Sequence, residues 1–198
     1  SSRRAGSEEI LATVLLDRPF YKETGGMTVS GGEPMLQSEF ACELLRGAKE
    51  AGISTALDTA GAVPWERYKA LLPYCDLFLF DVKCMNPEVH RAATGVDNAL
   101  ILENLTQLSQ SGAHLLVRTP VIPGINDSEE NMAAMAAFLA PLDGMEGVEL
   151  LPYHPLGGGK YESLGLTYPG HELTPPPGER MEQLAEAVRR GGVDCRVS

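Results

Sequence analysis

The sequence has few cysteines, and their spacing matches no metal-binding pattern. Cys42, Cys75, Cys84 and Cys195 lie far apart, so the chain has no CxxC, no CxxxCxxC and no Cys/His knuckle. The spacing of the cysteines therefore does not indicate a metal site. The printed sequence also starts without the apolar core of a signal peptide, so we expect reduced thiols in a cytoplasmic protein.

Long apolar runs and an excess of positive charge are also lacking. No segment approaches the roughly 18 uninterrupted apolar residues that a membrane span needs, which argues against a membrane partner. The 16 Lys and Arg residues are outnumbered by 27 Asp and Glu, and the net charge is −11. Nucleic acids and anionic membranes need a basic surface, so we expect neither as a partner.

The chain does contain enough apolar residues for a core, arranged as one alternating series of helices and strands. Hydrophobic residues make up 43% of its 198 residues. Helical patterns lie near residues 7–18, 37–51, 64–72, 97–111, 127–140 and 178–190. Strand patterns lie at Met27–Ser30, Ile53–Thr59, Asp76–Lys83, His114–Ile122 and Val148–His154. This alternation predicts a single α/β domain with parallel strands and right-handed crossovers, either an open sheet or a barrel.

Local signals support the helix boundaries. Asp127 and Glu130, for example, have the spacing of a capping box and predict where the fifth helical pattern begins.

Each predicted strand ends in residues that the centre of a strand would not favour. These residues are Ser30, Asp58, Asp81, Arg118 and His154. Their intervals suit one strand and one helix, so we expect all five at the carboxyl edge of the sheet, where α/β folds bind ligands. Asp81 and Lys83 are two residues apart and therefore point to the same side of their strand.

Most of these residues also have a purely structural interpretation. Asp81 and Lys83 form an ion pair in that interpretation, and His154 is a satisfied core residue. Arg118 either holds a ligand carboxylate or pairs with a neighbouring acid. Asp58 and Asp81 are compatible with an acid/base dyad or with a cation site.

Gly31 and Gly32 have two interpretations as well. The pair is either a tight strand-to-helix turn or a place where the backbone approaches a ligand closely. In the second interpretation Glu33 adds a carboxylate beside exposed carbonyl groups, a combination that suits an ammonium group better than a phosphate.

Five segments of the chain resemble, in order and spacing, the motifs of one enzyme family. The segments are Ser30–Pro34, Leu57–Gly61, Asp81–Lys83, Arg118–Asp127 and Leu150–His154. They are similar to those of the glycyl-radical-enzyme activating enzymes, the pyruvate formate-lyase activating enzyme family of the radical S-adenosylmethionine (SAM) superfamily. The resemblance runs from about Glu8 to the last residue. It implies a partial, TIM-like (β/α) barrel normally of six parallel units, about five of which are present here.

The resemblance also implies a site for S-adenosylmethionine at the carboxyl edge. Its cofactor-binding residues are then Gly31, Gly32, Glu33, Asp58, Asp81, Val82, Lys83, Arg118, Val121 and His154. By similarity, the Gly31–Glu33 motif binds the amino group of the methionine. Asp58 matches a carboxylate near the methionine end, where a monovalent cation can lie with Asp81.

The remaining matches concern the rest of the cofactor. The Asp81–Lys83 motif and His154 match segments that contact S-adenosylmethionine. Val121 matches a strand whose backbone passes the adenine, and Arg118 faces the cofactor or the substrate peptide.

The family is one of oxidoreductases of anaerobic metabolism. By resemblance, a reduced [4Fe–4S] cluster cleaves S-adenosylmethionine to a 5′-deoxyadenosyl radical, which abstracts a hydrogen atom from a glycine of a partner glycyl-radical enzyme. The implied electron donor is a flavodoxin or a ferredoxin. Cofactor and cluster carry the chemistry, and the protein positions them.

The chain departs from the family at the cluster site. The family has CxxxCxxC after the first barrel strand, and neither that motif nor that strand is present here. We therefore expect an N-terminally truncated radical SAM core over residues 1–198, with the cluster in the full-length protein only. This fragment then has no catalytic residue and no cluster ligand of its own and is inactive alone, and Met27–Ser30 forms an exposed sheet edge.

Two other functions remain open at this point. One is a non-catalytic module that binds S-adenosylmethionine or docks on a glycyl-radical enzyme. The other is a fragment of an aldolase-like barrel in which Lys83 forms a Schiff base.

Overall fold

The computed structural model describes residues 6–17, 25–153 and 174–198, and its strands form one sheet. The six strands are β1 (Gly26–Val29), β2 (Ser54–Thr59), β3 (Leu77–Asp81), β4 (Leu115–Val121), β5 (Met145–Pro152) and β6 (Cys195–Val197). Their order in the sheet follows the chain from β1 to β6, and the pairing is parallel, with Met27 opposite Thr55 and Val148 opposite Cys195. Within the described residues the sheet does not close. The predicted fold class, a partial α/β barrel, is confirmed.

Seven α-helices occur among the described residues. They are α1 (Ser7–Asp17), α2 (Ser38–Glu50), α3 (Trp65–Lys69), α4 (Pro87–Thr94), α5 (Ala99–Gln110), α6 (Glu129–Leu139) and α7 (Gly178–Arg190). A 3-10 turn at Pro34–Gln37 leads directly into α2. As predicted, β1 lies at one end of the sheet order.

One helix and one strand of the structure are not predicted by the sequence patterns. Helix α4 is short but has clear end signals: the Asn86 side chain accepts hydrogen bonds from the first turn, Pro87 opens the helix, and Gly95 ends it at φ 87°. Strand β6 has only three residues, too few to show a hydrophobic period.

The predicted capping box at the start of α6 is wrong. The N-cap is Ser128, whose hydroxyl accepts from the Asn131 amide at 3.1 Å. Asp127 instead accepts from the Gly124 amide at 2.8 Å, closing the turn that precedes the helix. Two adjacent residues with capping side chains compete here, and the turn engages the first of them.

The chain divides into two compact units. The first comprises Ser1–Asp81, Ala99–Leu116 and Leu142–Glu146, and the second comprises Val82–Asn98, Val117–Pro141 and Gly147–Ser198. Alternate residues of β2 and β3 fill the core of the first unit, among them Leu57, Phe78 and Phe80, which are fully buried. In the second unit, α6 packs against α7 through buried residues such as Met132 and Leu184. Each such side chain contributes about 1.5 to 3 kcal/mol by leaving water.

The Asp76 carboxylate joins α2 to β2 just before β3 begins. It accepts from the Thr55 amide at 3.0 Å and forms an ion pair with Lys49. Partial burial alone would raise the pKa of Asp76, but the hydrogen bonds from Lys49 and Thr55 and the Lys49 charge outweigh it, so the pKa lies below its ordinary value.

Acid is expected to remove this contribution. A carboxyl group with a lowered pKa in the folded state stabilises the fold above its unfolded-state pKa of about 3.9, and the contribution is lost as the pH falls through the folded-state pKa. Asp76 is 40% exposed, so Asp76→Asn should lower the free energy of unfolding by only about 1 kcal/mol or less at neutral pH. In urea titrations the difference in free energy of unfolding between this variant and the wild type should be smaller at about pH 3 than at neutral pH. The control is Asp143→Asn at an exposed position, and an Asp76→Asn deficit equal at both pH values would contradict the prediction.

Candidate functional site

The loop that follows β1 has an unusual backbone. Gly31 and Gly32 have φ angles of 92° and 61°, a region that residues with side chains rarely adopt. Both are exposed, and a Cβ added at either would meet no atom of the chain within 4 Å. The backbone conformation therefore favours glycine here, and the space beside both Cα atoms is open.

The Glu33 carboxylate ties this loop to the end of β2. Its Oε1 atom accepts from the Met35 amide at 2.9 Å and from the Thr59 hydroxyl at 2.9 Å, and its Oε2 atom accepts from the Ala60 amide at 2.7 Å. A carboxylate has about four acceptor positions, so these three donors leave room for one more. The sequence predicts Glu33 beside exposed carbonyl groups, but it does not predict these contacts.

Side chains of helix α3 form hydrogen bonds with the residues that hold this loop. The hydroxyl groups of Tyr68 and Thr59 lie 2.9 Å apart, and the Gly61 amide donates to Thr59 at 3.2 Å. Arg67 donates to the Met35 carbonyl at 2.8 Å. Burial raises the pKa of the Tyr68 phenol, and the nearby Glu33 charge adds to the rise, so the phenol keeps its proton at neutral pH.

Two carboxylates lie near the carboxyl ends of neighbouring strands in the first unit. Asp58 is the next-to-last residue of β2 and is opposite Leu79, and Asp81 is the last residue of β3. Since alternate residues share a face of the sheet, Asp58 and Asp81 lie on the same face. Both are partly exposed, and such oxygen ligands suit a hard cation.

In the second unit, side chains hold the backbone that follows β3. Thr119 donates to the Val82 carbonyl at 2.8 Å. The Nδ2 atom of Asn126 donates to the Lys83 carbonyl at 2.5 Å and to the Pro120 carbonyl at 2.8 Å, while its Oδ1 atom accepts from the Ile122 amide at 2.7 Å. Asn126 is only 1% exposed, so these contacts use it as an internal brace between β4 and this segment.

Two further asparagines complete the bracing of the same segment. Asn98 donates to the carbonyl groups of Cys84 and Met85 at 2.9 and 2.8 Å. Asn131 accepts from the Met85 amide at 2.9 Å. The roles of Asn98 and Asn131 were not predicted, because isolated asparagines give no signal in a single sequence.

Arg118 lies three residues before the end of β4, inside the strand and not at its end as predicted. Its Nε atom is 3.4 Å from Glu149, whose other oxygen accepts from Arg196 at 3.1 Å and from Ser198 at 2.6 Å. Burial opposes ionisation of Glu149, but these hydrogen bonds and the two guanidinium charges hold the pKa of Glu149 below its usual value.

Val121 and His154 are the other two positions predicted to contact the cofactor. Val121 is fully buried, and its carbonyl accepts from the Tyr153 amide at 3.2 Å. His154 lies outside the described residues.

Comparison with known proteins now identifies the family. Residues 4–136 match the domain of the Radical SAM superfamily. This chain belongs to the radical SAM superfamily. The fold agrees: a crystal structure of a domain of pyruvate-formate lyase-activating enzyme from Bacteroides vulgatus superposes with a TM-score of 0.74 and 30% identity, covering 87% of this chain and 98% of that one.

Relatives of this radical SAM chain extend the match to the activating enzymes. It is 45% identical over 169 residues to the isethionate sulfite-lyase activating enzyme of Desulfovibrio desulfuricans, covering 84% of this chain and 54% of the relative. It is 38% identical over 196 residues to the (2S)-3-sulfopropanediol dehydratase activating enzyme of Klebsiella oxytoca, covering 96% and 62%. The predicted resemblance to activating enzymes is confirmed. The chain therefore spans less than two thirds of the length of either relative.

The lengths and compositions of the helices bear on whether this radical SAM chain could cross a membrane. Among the helices of the described residues, none is long and apolar enough to cross a bilayer.

Proposed function

We propose that this chain is the radical SAM core of a glycyl-radical-enzyme activating enzyme and that it holds S-adenosylmethionine. The activity of the whole enzyme would be reductive cleavage of S-adenosylmethionine to form a glycyl radical on a partner enzyme, with a flavodoxin or ferredoxin as electron donor. The observation that carries the proposal is the exposed Gly31–Gly32 loop, which has open space beside it and is followed directly by a fixed carboxylate.

These groups fit the amino end of a methionine. An ammonium group donates hydrogen bonds, so it needs acceptors and negative charge nearby. The carbonyl groups of Gly31 and Gly32 would supply the acceptors, and Glu33 would supply the charge. A phosphate would need hydrogen-bond donors instead, and the Glu33 carboxylate would repel its negative charge.

The other predicted residues would contact the rest of the cofactor. Asp58 and Asp81 would hold a monovalent cation near the methionine carboxylate. Lys83 and Arg118 would offer positive charge to that carboxylate or to the substrate peptide. The remaining contacts would be those of Val82, Val121 and His154.

The cysteines of this chain do not fit a [4Fe–4S] cluster. A [4Fe–4S] cluster needs several thiolates that converge on it. Among the described residues, no three His, Cys, Asp or Glu side chains lie close enough together to hold a metal ion. Cys84 is buried, and burial raises the pKa of Cys42. We propose that residues outside these 198 bind the cluster and that the chain by itself generates no radical. Iron and sulfide analysis after anaerobic reconstitution should find no stoichiometric cluster, and four irons per chain would contradict this part of the proposal.

Substitution of Gly31 tests the cofactor site. In Gly31→Ala the new Cβ projects into the open side of the loop and the backbone is strained at a φ of 92°. Isothermal titration calorimetry with S-adenosylmethionine should therefore show a dissociation constant at least about tenfold higher than that of the wild type, equivalent to about 1.4 kcal/mol.

The matched control for this experiment is Gly112→Ala. Gly112 also has a positive φ, 78°, and open space around it, but it lies in the turn after α5. The two variants should lose similar amounts of stability, and only Gly31→Ala should lose affinity. Failure of the wild type to bind S-adenosylmethionine, or equal affinity in both variants, would contradict the proposed function.

A further inference from the structure

A chain of three hydrogen-bonded side chains runs from the core of the first unit to the Gly31–Gly32 loop. Tyr68 is fully buried and Thr59 is 2% exposed. Their hydroxyl oxygens lie 2.9 Å apart, and the Thr59 hydroxyl is 2.9 Å from Oε1 of Glu33. The chain therefore connects α3, the last residue of β2 and the residue that directly follows the two glycines.

The chemistry of the three groups fixes the direction of these hydrogen bonds. A carboxylate only accepts, so the single proton of Thr59 goes to Glu33. Tyr68 must then donate to Thr59, which also accepts from the Gly61 amide. A hydroxyl that accepts from two donors is polarised toward its own acceptor, so the Thr59–Glu33 bond is strengthened.

The loop needs such an anchor because of its composition. Two consecutive glycines have more backbone freedom than any other pair of residues, and they are otherwise exposed. A ligand that bound a disordered loop would bear the entropy of ordering it, and prior ordering removes that cost from binding. The Glu33 carboxylate, fixed at Met35, Thr59 and Ala60, restrains the loop at its carboxyl end.

We infer that Thr59 and Tyr68 are positioning residues that hold the Gly31–Gly32 loop, through Glu33, in the geometry that receives an ammonium group. The inference rests on the proposed function for the identity of the ligand, S-adenosylmethionine. Neither residue touches the ligand. Their effect on affinity comes from the order that they impose on the loop before binding.

Calorimetric titration with S-adenosylmethionine tests this inference on variants of the full chain. Thr59→Val keeps the shape of the side chain and removes the hydroxyl, so the dissociation constant should rise about tenfold, the effect of one hydrogen bond to a charged group. Tyr68→Phe removes only the outer donor and should raise it about threefold. Thr59→Ser keeps the hydroxyl and should stay within about twofold of the wild type.

Thr55→Val is the matched control. Thr55 lies in the same strand, is also 2% exposed, and donates its hydroxyl hydrogen bond to the Tyr74 carbonyl at 2.6 Å, away from Glu33. This variant should lose stability like Thr59→Val without losing affinity. Unchanged affinity in both Thr59→Val and Tyr68→Phe, or equal losses in the Thr59→Val and Thr55→Val variants, would overturn the inference.

Hydrogen exchange of the loop separates this inference from the proposed function. In the absence of ligand, the Met35 and Ala60 amides, which donate to Glu33, should exchange at least about fivefold faster in Thr59→Val than in the wild type, while the Gly112 amide is unchanged. Unchanged exchange at Met35 and Ala60 would overturn the positioning role. If the wild type failed to bind S-adenosylmethionine but exchange increased as expected, the proposed function would be wrong and the anchoring of the loop would stand.

Discussion

Asn126→Ala is expected to lower the free energy of unfolding by about 2 to 4 kcal/mol. The substitution removes both donors and the acceptor of a side chain that is 1% exposed. The Lys83 and Pro120 carbonyl groups and the Ile122 amide then lose their partners. Each buried polar group left unpaired costs about 1 to 3 kcal/mol, and because Lys83, Pro120 and Ile122 are only partly buried, we expect a total below the sum.

The appropriate comparison is Asn86→Ala, which removes an asparagine with a different kind of role. Asn86 caps the first turn of α4 at an exposed position, and loss of such a cap costs about 1 kcal/mol. Urea unfolding followed by circular dichroism would measure both variants. Equal losses of stability would show that Asn126 is no more than a local turn residue, contrary to the bracing role described above.

Gly61→Ala is expected to cost about 3 kcal/mol or more. Gly61 has a φ of 76°, and an added Cβ would lie 2.3 Å from a ring carbon of Phe80 and 3.1 Å from Ile101. Phe80 is fully buried and cannot withdraw into solvent. Backbone strain of about 1 to 2 kcal/mol and overpacking of about 1 to 3 kcal/mol therefore act together.

Two controls separate these contributions. Gly95→Ala has a similar φ of 87° in open space, so its loss of stability measures the backbone strain alone. Phe80→Leu should relieve the overpacking, so the double variant Gly61→Ala/Phe80→Leu should be more stable than the two single losses predict. Additive losses in this double-mutant cycle, measured by urea unfolding, would contradict the steric explanation.

The fold class was predictable because it depends on local patterns. The alternation of short β-branched or aromatic runs with helical runs indicates parallel strands, and Ile53–Thr59, for example, contains all of β2. The boundaries of α2 differ from the prediction by a residue at each end, since amphipathic spacing and Gly52 limit that helix. Strand β6 was not predictable, because its three residues carry no pattern and form a strand only by pairing with β5.

The candidate site was predictable in its residue types but not in its contacts. The Gly31–Gly32 pair and Glu33 are visible as a motif in the sequence. That Glu33 contacts Thr59, 26 residues away, follows from the pairing of β1 with β2, in which Val29 is opposite Leu57. Register of this kind is set by tertiary packing, so the local sequence does not contain it.

The position of Arg118 within its strand was also not predictable from the local sequence. Its residue type and motif predict a group at the end of a strand, but β4 continues to Val121. The predicted strand, His114–Ile122, contains all of β4, so the error concerns the position of Arg118 within the strand and not the strand itself. Where β4 ends, the Asn126 side chain accepts from the Ile122 amide and donates to the Pro120 carbonyl.

The stacking of Trp65 on Tyr68 has a spectroscopic consequence. The two rings have centroids 6.2 Å apart at an interplanar angle of 26°, and Trp65 is the one tryptophan in the 198 residues. Indole emission responds to the polarity and charge around the ring, and here the neighbouring ring belongs to the phenol that donates toward Thr59 and Glu33. The chain thus contains its own fluorophore beside the anchor of the glycine loop, and its emission can be followed without an attached dye.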